Sequence, residues 1–227
     1  MKAVMAKLAR WHIWLGWLIG VPLIGWTLSG LVMVARPIEE VRGEHLRIEA
    51  APQPLVLPGE DFGSVEGPIR EMRAVMQDGR AVAVLTMMDG SVRRRDMATG
   101  QPIAPLDAAA ARSLVARRIV GGDSAQSVRF FAADAPPFDF RRPLPVWRVA
   151  LADGTHVYVG RDSGQIEAVR TRWWRLFDFM WGLHIMDLQD REDTSHPILI
   201  LFTALALIGT VMGCALLFRR RKARVTA

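Results

Sequence analysis

Two long apolar runs lie near the ends of this chain, and the residues between them follow a different pattern. Residues 13–35 include 23 consecutive residues without a charge, and residues 197–218 include 22. A helix rises about 1.5 Å per residue, so each run is long enough to cross a hydrocarbon core of about 30 Å. We therefore predict one transmembrane helix over each of these two ranges.

Short segments in which apolar and polar residues alternate dominate residues 67–171 and predict antiparallel strands. The predicted strands cover residues 70–77, 81–88, 91–97, 127–134, 145–153, 155–162 and 164–170. An alanine-rich helix is predicted over 106–122, with Asp107 capping its first turn and Gly121 ending it. The predicted fold class is α+β, with two transmembrane helices flanking a domain of antiparallel strands plus a helix.

An internal echo lies within this domain. The segment DGSVRRRDMATGQP starts at Asp89, and DGTHVYVGRDSGQI starts at Asp153, so the two are offset by 64 residues. In both, an Asp-Gly turn precedes a strand, and Gly accepts the positive φ that such a turn requires. The echo predicts two related units, of which the first lacks a clear helix. The alternative is a chance match of short turn motifs.

Two further ranges complete the predicted organisation. Residues 36–66 are rich in Pro and Gly and predict a linker. Residues 172–196 predict a membrane-surface helix followed by an acidic loop, because aromatic residues recur on one helical face and favour the headgroup level. That face comprises Trp173, Phe177, Trp181 and His184.

The distribution of charge predicts the orientation in the membrane. The net charge of +6 arises at the two ends, because residues 1–12 and 219–227 carry basic residues and no acidic ones. The basic residues are Lys2, Lys7, Arg10, Arg219, Arg220, Arg221, Lys222 and Arg224. Basic flanks stay in the cytoplasm, so both termini are predicted to be cytoplasmic and residues 36–196 external. In a bacterium, the chain would be a two-pass inner-membrane protein with a periplasmic domain over 67–171.

The chain resembles a known family at three places. The segment PVWRVALADGTHVYVGRDSGQIEAV (145–169) resembles a PepSY domain, which consists of a helix followed by strands. The segment LARWHIWLGWLIGVPLIGWTLSGLVM (8–33) resembles the first span of PepSY-associated transmembrane proteins. The closing segment, with Leu183 and His184 before the second span and a basic cluster after it, resembles the last span of that family.

The resemblance implies a membrane protein related to siderophore-iron reductases that bind haem through histidines of their membrane helices. This chain has two spans, fewer than those longer relatives. A membrane haem b needs two axial imidazoles at one depth. His184 and His196 can meet within one chain if the acidic loop turns back. His12 lies at the cytoplasmic edge and would need a second protomer or a partner subunit.

Other interpretations of these residues remain open. His184 and His196 are also suited to a surface helix and an interfacial position, and His45 and His156 to ordinary surface or packing positions. The carboxylates of Asp187, Asp190, Glu192 and Asp193 suit a divalent ion together with the two histidines, and equally suit a solvated loop. The metal, if any, is therefore unknown.

The spans also carry small-residue faces. Gly16 and Gly20 in the first span, and Gly209 and Gly213 in the second, lie at similar depths from the cytoplasmic side. Such faces permit close helix approach, which we expect within the chain or across a homodimer.

The sequence contains no nucleophile triad and no nucleotide fingerprint, and its only cysteine, Cys214, lies in the second span. We therefore predict no complete active site on this chain alone. The predicted function is an accessory or electron-transfer component of periplasmic iron or redox handling that binds haem. The alternative is a non-catalytic, membrane-tethered periplasmic module that binds or regulates a protein partner.

Overall fold

The computed structural model describes residues 2–48 and 67–225, which form two compact units. The helical unit comprises Met1–Pro37 and Arg175–Ala227, and the sheet unit comprises Ile38–Trp174. The helices are α1 (Lys2–Val34), α2 (Ile38–Val41), α3 (Ala108–Arg118), α4 (Arg172–His184) and α5 (Pro197–Val225). The strands are β1 (Ile69–Gln77), β2 (Arg80–Met87), β3 (Val92–Asp96), β4 (Pro102–Ile103), β5 (Ala125–Phe131), β6 (Val146–Leu151), β7 (His156–Gly160) and β8 (Ile166–Arg170).

Two helices of the helical unit have the length and composition of membrane spans. The apolar stretches are Val4–Val34 in α1 and Pro197–Phe218 in α5, and few of their side chains are buried inside the protein. Both helices extend beyond the apolar runs, since α1 already begins at Lys2 and α5 continues to Val225. The two predicted span-length helices are confirmed, while their placement relative to the cytoplasm stays a prediction.

The sheet unit contains two antiparallel four-stranded sheets, ordered β1-β2-β3-β4 and β5-β6-β7-β8. All seven predicted strands and the predicted helix are present, so the α+β fold class is confirmed. Asp107 caps α3 as expected, because its Oδ1 accepts the N–H of Ala110 at 2.7 Å. The helix ends at Arg118, before Gly121, since Ile119 already adopts an extended conformation.

The 64-residue echo is a structural repeat. Gly90 and Gly154 both have a φ of 83°, in the turns that precede β3 and β7. In each turn the preceding aspartate accepts the N–H two residues later at 2.8 Å, from Ser91 to Asp89 and from Thr155 to Asp153. The register repeats as well, because Val84 pairs with Arg94 and, 64 residues later, Arg148 pairs with Tyr158. The two predicted related units are therefore confirmed at the level of turns and strand pairing.

The two sheets are covered differently. Helix α3 packs on one face of the second sheet, where Val115 lies among fully buried valines of three strands: Val149, Val157, Val159 and Val169. The opposite face is covered by the β5–β6 connection, which contributes Phe140 next to Tyr158. The first sheet has a smaller cluster, made of Ala83, Leu85, Met87 and Met97.

The start of the predicted linker is folded. Helix α2 is followed by a single 3-10 turn at Glu44–Leu46, and Arg47 forms an isolated β-bridge with Ile119. The rest of the range, residues 49–66, lies outside the described residues.

Candidate functional site

The three predicted site residues, His12, His184 and His196, all lie in the helical unit. His12 is on α1, His184 is the last residue of α4, and His196 immediately precedes α5. The contacts of each residue determine which chemistry its imidazole can perform.

His12 lies against Gly213 of α5. A Cβ built at Gly213 would be 3.0 Å from His12 Cε1, so any larger residue there would require the ring to shift. The neighbouring contact is similar, since a Cβ at Gly209 would be 3.1 Å from Cδ1 of Ile19. His12 Nδ1 is buried and has no hydrogen-bond partner among the described residues.

The small residues of the two spans do not meet as the matched depths suggested. Gly209 and Gly213 do face α1, as expected, but they pack against side chains of Leu15, Ile19 and His12. A Cβ at Gly16 or Gly20 would meet nothing within 4 Å. Depth alone does not determine helix contacts, because the rotation of each helix about its axis selects the face that packs. The expectation for α1 is therefore wrong within one chain, and a homodimer contact stays a prediction.

His184 is held against the far end of α1. Its ring stacks on Trp26, with centroids 4.5 Å apart and planes inclined by 20°. Its Nδ1 lies 3.0 Å from the hydroxyl of Ser29 and 3.2 Å from the carbonyl of Trp26. Gly30 makes room for the ring, since a Cβ there would be 3.2 Å from His184 Cε1. Ser29 is fully buried, so this contact lies inside the helical unit.

These hydrogen bonds assign the tautomer of His184. The hydroxyl of Ser29 donates its only proton to the Trp26 carbonyl at 2.8 Å, so its oxygen is an acceptor for His184. A carbonyl can only accept, and both neighbours of Nδ1 therefore require that Nδ1 carry the proton. In the neutral ring Nε2 then keeps its lone pair. Metal-ligating histidines usually have this arrangement, in which the second nitrogen donates to a carbonyl or hydroxyl.

The acidic run after His184 builds a loop. Asp187, which is 6% exposed, accepts the backbone N–H groups of Asp190, Glu192 and Asp193, each at 3.2 Å. Burial raises the pKa of Asp187, but these backbone donors outweigh it and hold the pKa below its ordinary value. The carboxylate thus stabilises the loop between α4 and α5, in agreement with the loop interpretation of the sequence.

Helix α4 ends in a Schellman motif that the sequence did not reveal. The N–H of Asp187 bonds to the carbonyl of Gly182, and that of Met186 to the carbonyl of Leu183. Met186 occupies the left-handed position with a φ of 58°, where glycine or asparagine is usual. Because methionine carries no signal for this conformation, the sequence offered no marker of the helix end.

A buried ion pair joins the loop between α4 and α5 to α4, and the sequence analysis did not predict it. Arg191 Nη1 lies 2.5 Å from Asp178 Oδ2, and the Asp178 side chain is 7% exposed. Gly182 allows the approach, since a Cβ there would be 2.7 Å from Arg191 Cγ. The indole of Trp181 also donates to the Arg191 carbonyl at 3.0 Å. A lone carboxylate in an aromatic helix and a lone arginine in an acidic run were the available signals.

His196 is partly buried just before the start of α5. Its Nδ1 is buried without a hydrogen-bond partner among the described residues, and its carbonyl accepts the N–H of Ile200 at 3.2 Å. Within residues 2–48 and 67–225, no hydrogen bond or ring contact joins His184 to His196. The same residues include no group of three His, Cys, Asp or Glu side chains that could hold a metal ion.

A second polar cluster lies in the sheet unit and was also missed. Asp139 accepts a hydrogen bond from the hydroxyl of Tyr158, and His156 Nδ1 lies 2.9 Å from its other oxygen. Arg170 Nε donates to the Asp139 carbonyl at 2.8 Å. These bonds attach the β5–β6 connection to β7 and β8, which gives His156 a structural partner.

Along the chain, the two span-length helices flank two related antiparallel sheets, which defines a class of membrane protein. Residues 9–227 match the family described as the PepSY-associated TM region, and the chain belongs to this family. Neither a curated protein nor a solved structure matches the chain.

Proposed function

We propose that this chain is a two-pass inner-membrane PepSY protein that holds haem b and serves periplasmic iron or redox handling as an accessory or electron-transfer component. Its sheet unit would lie in the periplasm and both termini in the cytoplasm. The observation that carries the proposal is the position of His184 Nδ1, 3.0 Å from the Ser29 hydroxyl and 3.2 Å from the Trp26 carbonyl, which favours a proton on Nδ1 and a lone pair on Nε2.

The histidines present fit a haem in their donor chemistry. His12 and His196 each keep a buried Nδ1 without a partner among the described residues, and a buried unpaired imidazole nitrogen is unfavourable unless something binds it. His184 and His196 are the predicted pair within one chain. Haem iron, when bound by two imidazoles, exchanges single electrons, and the protein's part is to supply and orient those ligands.

His12 cannot join His184 at one iron within this chain. His184 contacts α1 at Trp26, which is 14 residues beyond His12, and a helix rises about 21 Å over that length. A haem at His12 would therefore need an imidazole from a second protomer or from a membrane partner subunit. We propose such an assembly as the route by which electrons would reach this chain, which has no flavin or nicotinamide fingerprint of its own.

Visible absorption of the purified full-length protein tests the proposal. After expression with ample haem, the parent should show a Soret band, and His184→Ala and His196→Ala should each abolish or strongly shift it. His45→Ala and His156→Ala are matched controls on histidines outside the helical unit, and they should leave the spectrum unchanged. Loss of the band in His12→Ala alone would place the haem between chains.

A parent protein without a Soret band would overturn the haem proposal. The second candidate, a membrane-tethered module that binds a partner or ligand through its sheet unit, would then remain, and the groove described below favours it. The orientation is tested separately by reporter fusions, which should be periplasmic after Gly121 and cytoplasmic after Ala227. A periplasmic C-terminus would contradict the proposed topology.

A further inference from the structure

A groove of about 730 Å³ lies within the sheet unit, between helix α3, the end of β1 and the turn that opens β8. Its volume is in the range of sites for small organic molecules. Part of the wall is apolar, and Val75, Leu106, Leu114 and Ile166 contribute to it. The groove is independent of the histidines of the helical unit.

The charged residues of this groove are almost all of one sign. Four arginines line it, Arg47, Arg94, Arg117 and Arg118, against a single carboxylate, Asp78. Asp78 is already paired with Arg117 at 3.0 Å, and both side chains are about half exposed. The pair offsets one of the four arginines, so the described lining of the groove keeps an excess of positive charge.

Arg94 is the most unusual of these side chains because it is only 7% exposed. Its Nη1 donates to Gln77 Oε1 at 3.1 Å and its Nη2 to the carbonyl of Ala104 at 2.7 Å. Its Nε is buried and has no partner among the described residues. Among the described residues, no carboxylate lies within ion-pair distance of Arg94, and both of these hydrogen bonds are to neutral oxygens.

The guanidinium is fixed in place by its surroundings. A side chain at Gly164 would overlap Arg94 Nη1, so the glycine at this turn allows the guanidinium to pack on the backbone. Burial lowers the pKa of Arg94, while the charges of Asp162 and Asp78 raise it. An arginine in a protein nevertheless stays protonated near neutral pH, and a buried charge requires a counter-charge to be favourable.

We propose that this groove binds a small organic anion, whose carboxylate or phosphate group lies at the arginines and whose apolar body lies against Leu106, Leu114 and Val75. The planar guanidinium forms paired, charge-assisted hydrogen bonds with such oxyanions. The groove supplies both the positive charge and the apolar wall that a ligand of this chemistry needs.

Calorimetric titration of the full-length protein in nanodiscs tests the proposal with three probes. The first is 4-phenylbutyrate, the second is its neutral amide, and the third is inorganic phosphate. The carboxylate should bind saturably and at least about tenfold more tightly than the amide, because the amide cannot accept charge-assisted bonds through two oxygens. Inorganic phosphate should compete, which would show that the oxyanion site accepts phosphate as well as carboxylate.

Variants distinguish the groove from non-specific attraction. Arg94→Met keeps an unbranched apolar stem but removes the guanidinium, and it should weaken phenylbutyrate binding about tenfold or more. Arg47→Gln, at an exposed position, should weaken it without endangering the fold. Arg129→Met, an exposed arginine of β5 outside the groove, is the matched control and should bind like the parent. Thermal unfolding of each variant checks that the sheet unit is folded.

Three results would overturn the proposal: equal affinity for the acid and its amide, unchanged binding in both Arg94→Met and Arg47→Gln, or no saturable binding of either anion at millimolar concentration. Binding of phosphate without phenylbutyrate would refute the apolar part of the site.

Discussion

The two sheets of the sheet unit place different polar residues at one position of the same repeat. Arg94 on β3 and Tyr158 on β7 are 64 residues apart, and both are central in a strand with matching register. Tyr158 is fully buried and donates its hydroxyl to the carboxylate of Asp139. Arg94 is nearly as buried, but its partners are a side-chain amide and a backbone carbonyl.

The difference follows from the connections between strands. In the first sheet only Asp78 and Gly79 join β1 to β2, whereas residues 132–145 join β5 to β6. The longer connection covers one face of the second sheet and brings Asp139 to Tyr158. The two-residue β1–β2 connection of the first sheet is too short to cover it in this way, and Arg94 lines the groove. Two copies of a repeat can therefore share the same strand pairing while a strand connection covers the polar residue of one copy and leaves that of the other available to a ligand.

Truncating a buried side chain in the core of the first sheet is expected to have the largest effect on stability. Leu85, which is 1% exposed, belongs to a cluster of four buried residues in the described part of the chain. Leu85→Ala should lower the free energy of unfolding by about 2–5 kcal/mol, because it removes buried apolar surface and leaves a cavity. Met72 pairs with Leu85 across the strands but is 52% exposed, so Met72→Ala should cost less than about 1 kcal/mol.

Chemical unfolding of the full-length protein measures both variants. If Leu85→Ala and Met72→Ala lower the free energy of unfolding equally, the first sheet has no core of its own and depends on the second sheet for stability.

The repeat itself could be predicted from the sequence because its signals are local. Asp-Gly turns, alternating strands and the Asp107 cap each need only a few adjacent residues, and the structure confirms them. The hydrogen bond that attaches the β5–β6 connection to the second sheet could not be predicted. Asp139 and Tyr158 are 19 residues apart, and nothing in either segment specifies that they meet.

The same limit applies to the helical unit. The two apolar spans were evident from length and composition, and His184, His196 and His12 could be selected by residue type. The contact of His184 with Ser29 joins positions 155 residues apart, so only the folded chain reveals it. The faces on which α1 and α5 pack depend on helix rotation, which a matched pair of small-residue motifs does not determine.

The second prediction exchanges the two polar residues for apolar ones of similar size. Tyr158→Phe withdraws a donor from the buried Asp139 carboxylate and should cost about 1–3 kcal/mol of stability. Arg94→Met removes a buried charge that has no carboxylate partner in the described chain, so it should change stability by less than about 1 kcal/mol. The free energies of unfolding at neutral pH, without added anions, measure the contrast. A larger loss of unfolding free energy for Arg94→Met would show that the neutral partners of Arg94 stabilise the first sheet as much as Asp139 stabilises the second.

The third and smallest effect concerns how the stability of the second sheet depends on pH in the acid range. Burial raises the pKa of Asp139, but the hydrogen bonds from His156 and Tyr158 outweigh it, and the pKa lies below its ordinary value of 3.8. The folded state therefore binds fewer protons than the unfolded state in this range. The stabilisation is present above pH 3.8 and is lost as the pH falls through the lower folded value.

Asp139→Asn should remove this contribution, so the variant should lose less stability than the parent between pH 7 and pH 3. Thermal unfolding of the full-length protein across that range gives the comparison, and Asp134→Asn, an exposed aspartate of the same connection, is the control that should follow the parent. The groups that face Asp139 are His156 and Tyr158, with Arg170 on its carbonyl, and the tyrosine keeps its proton throughout because burial and the neighbouring carboxylate raise its pKa. If the acid profiles of Asp139→Asn and the parent coincide, the carboxylate does not stabilise the closed sheet through its charge. The contrast with Arg94 would then rest on packing alone.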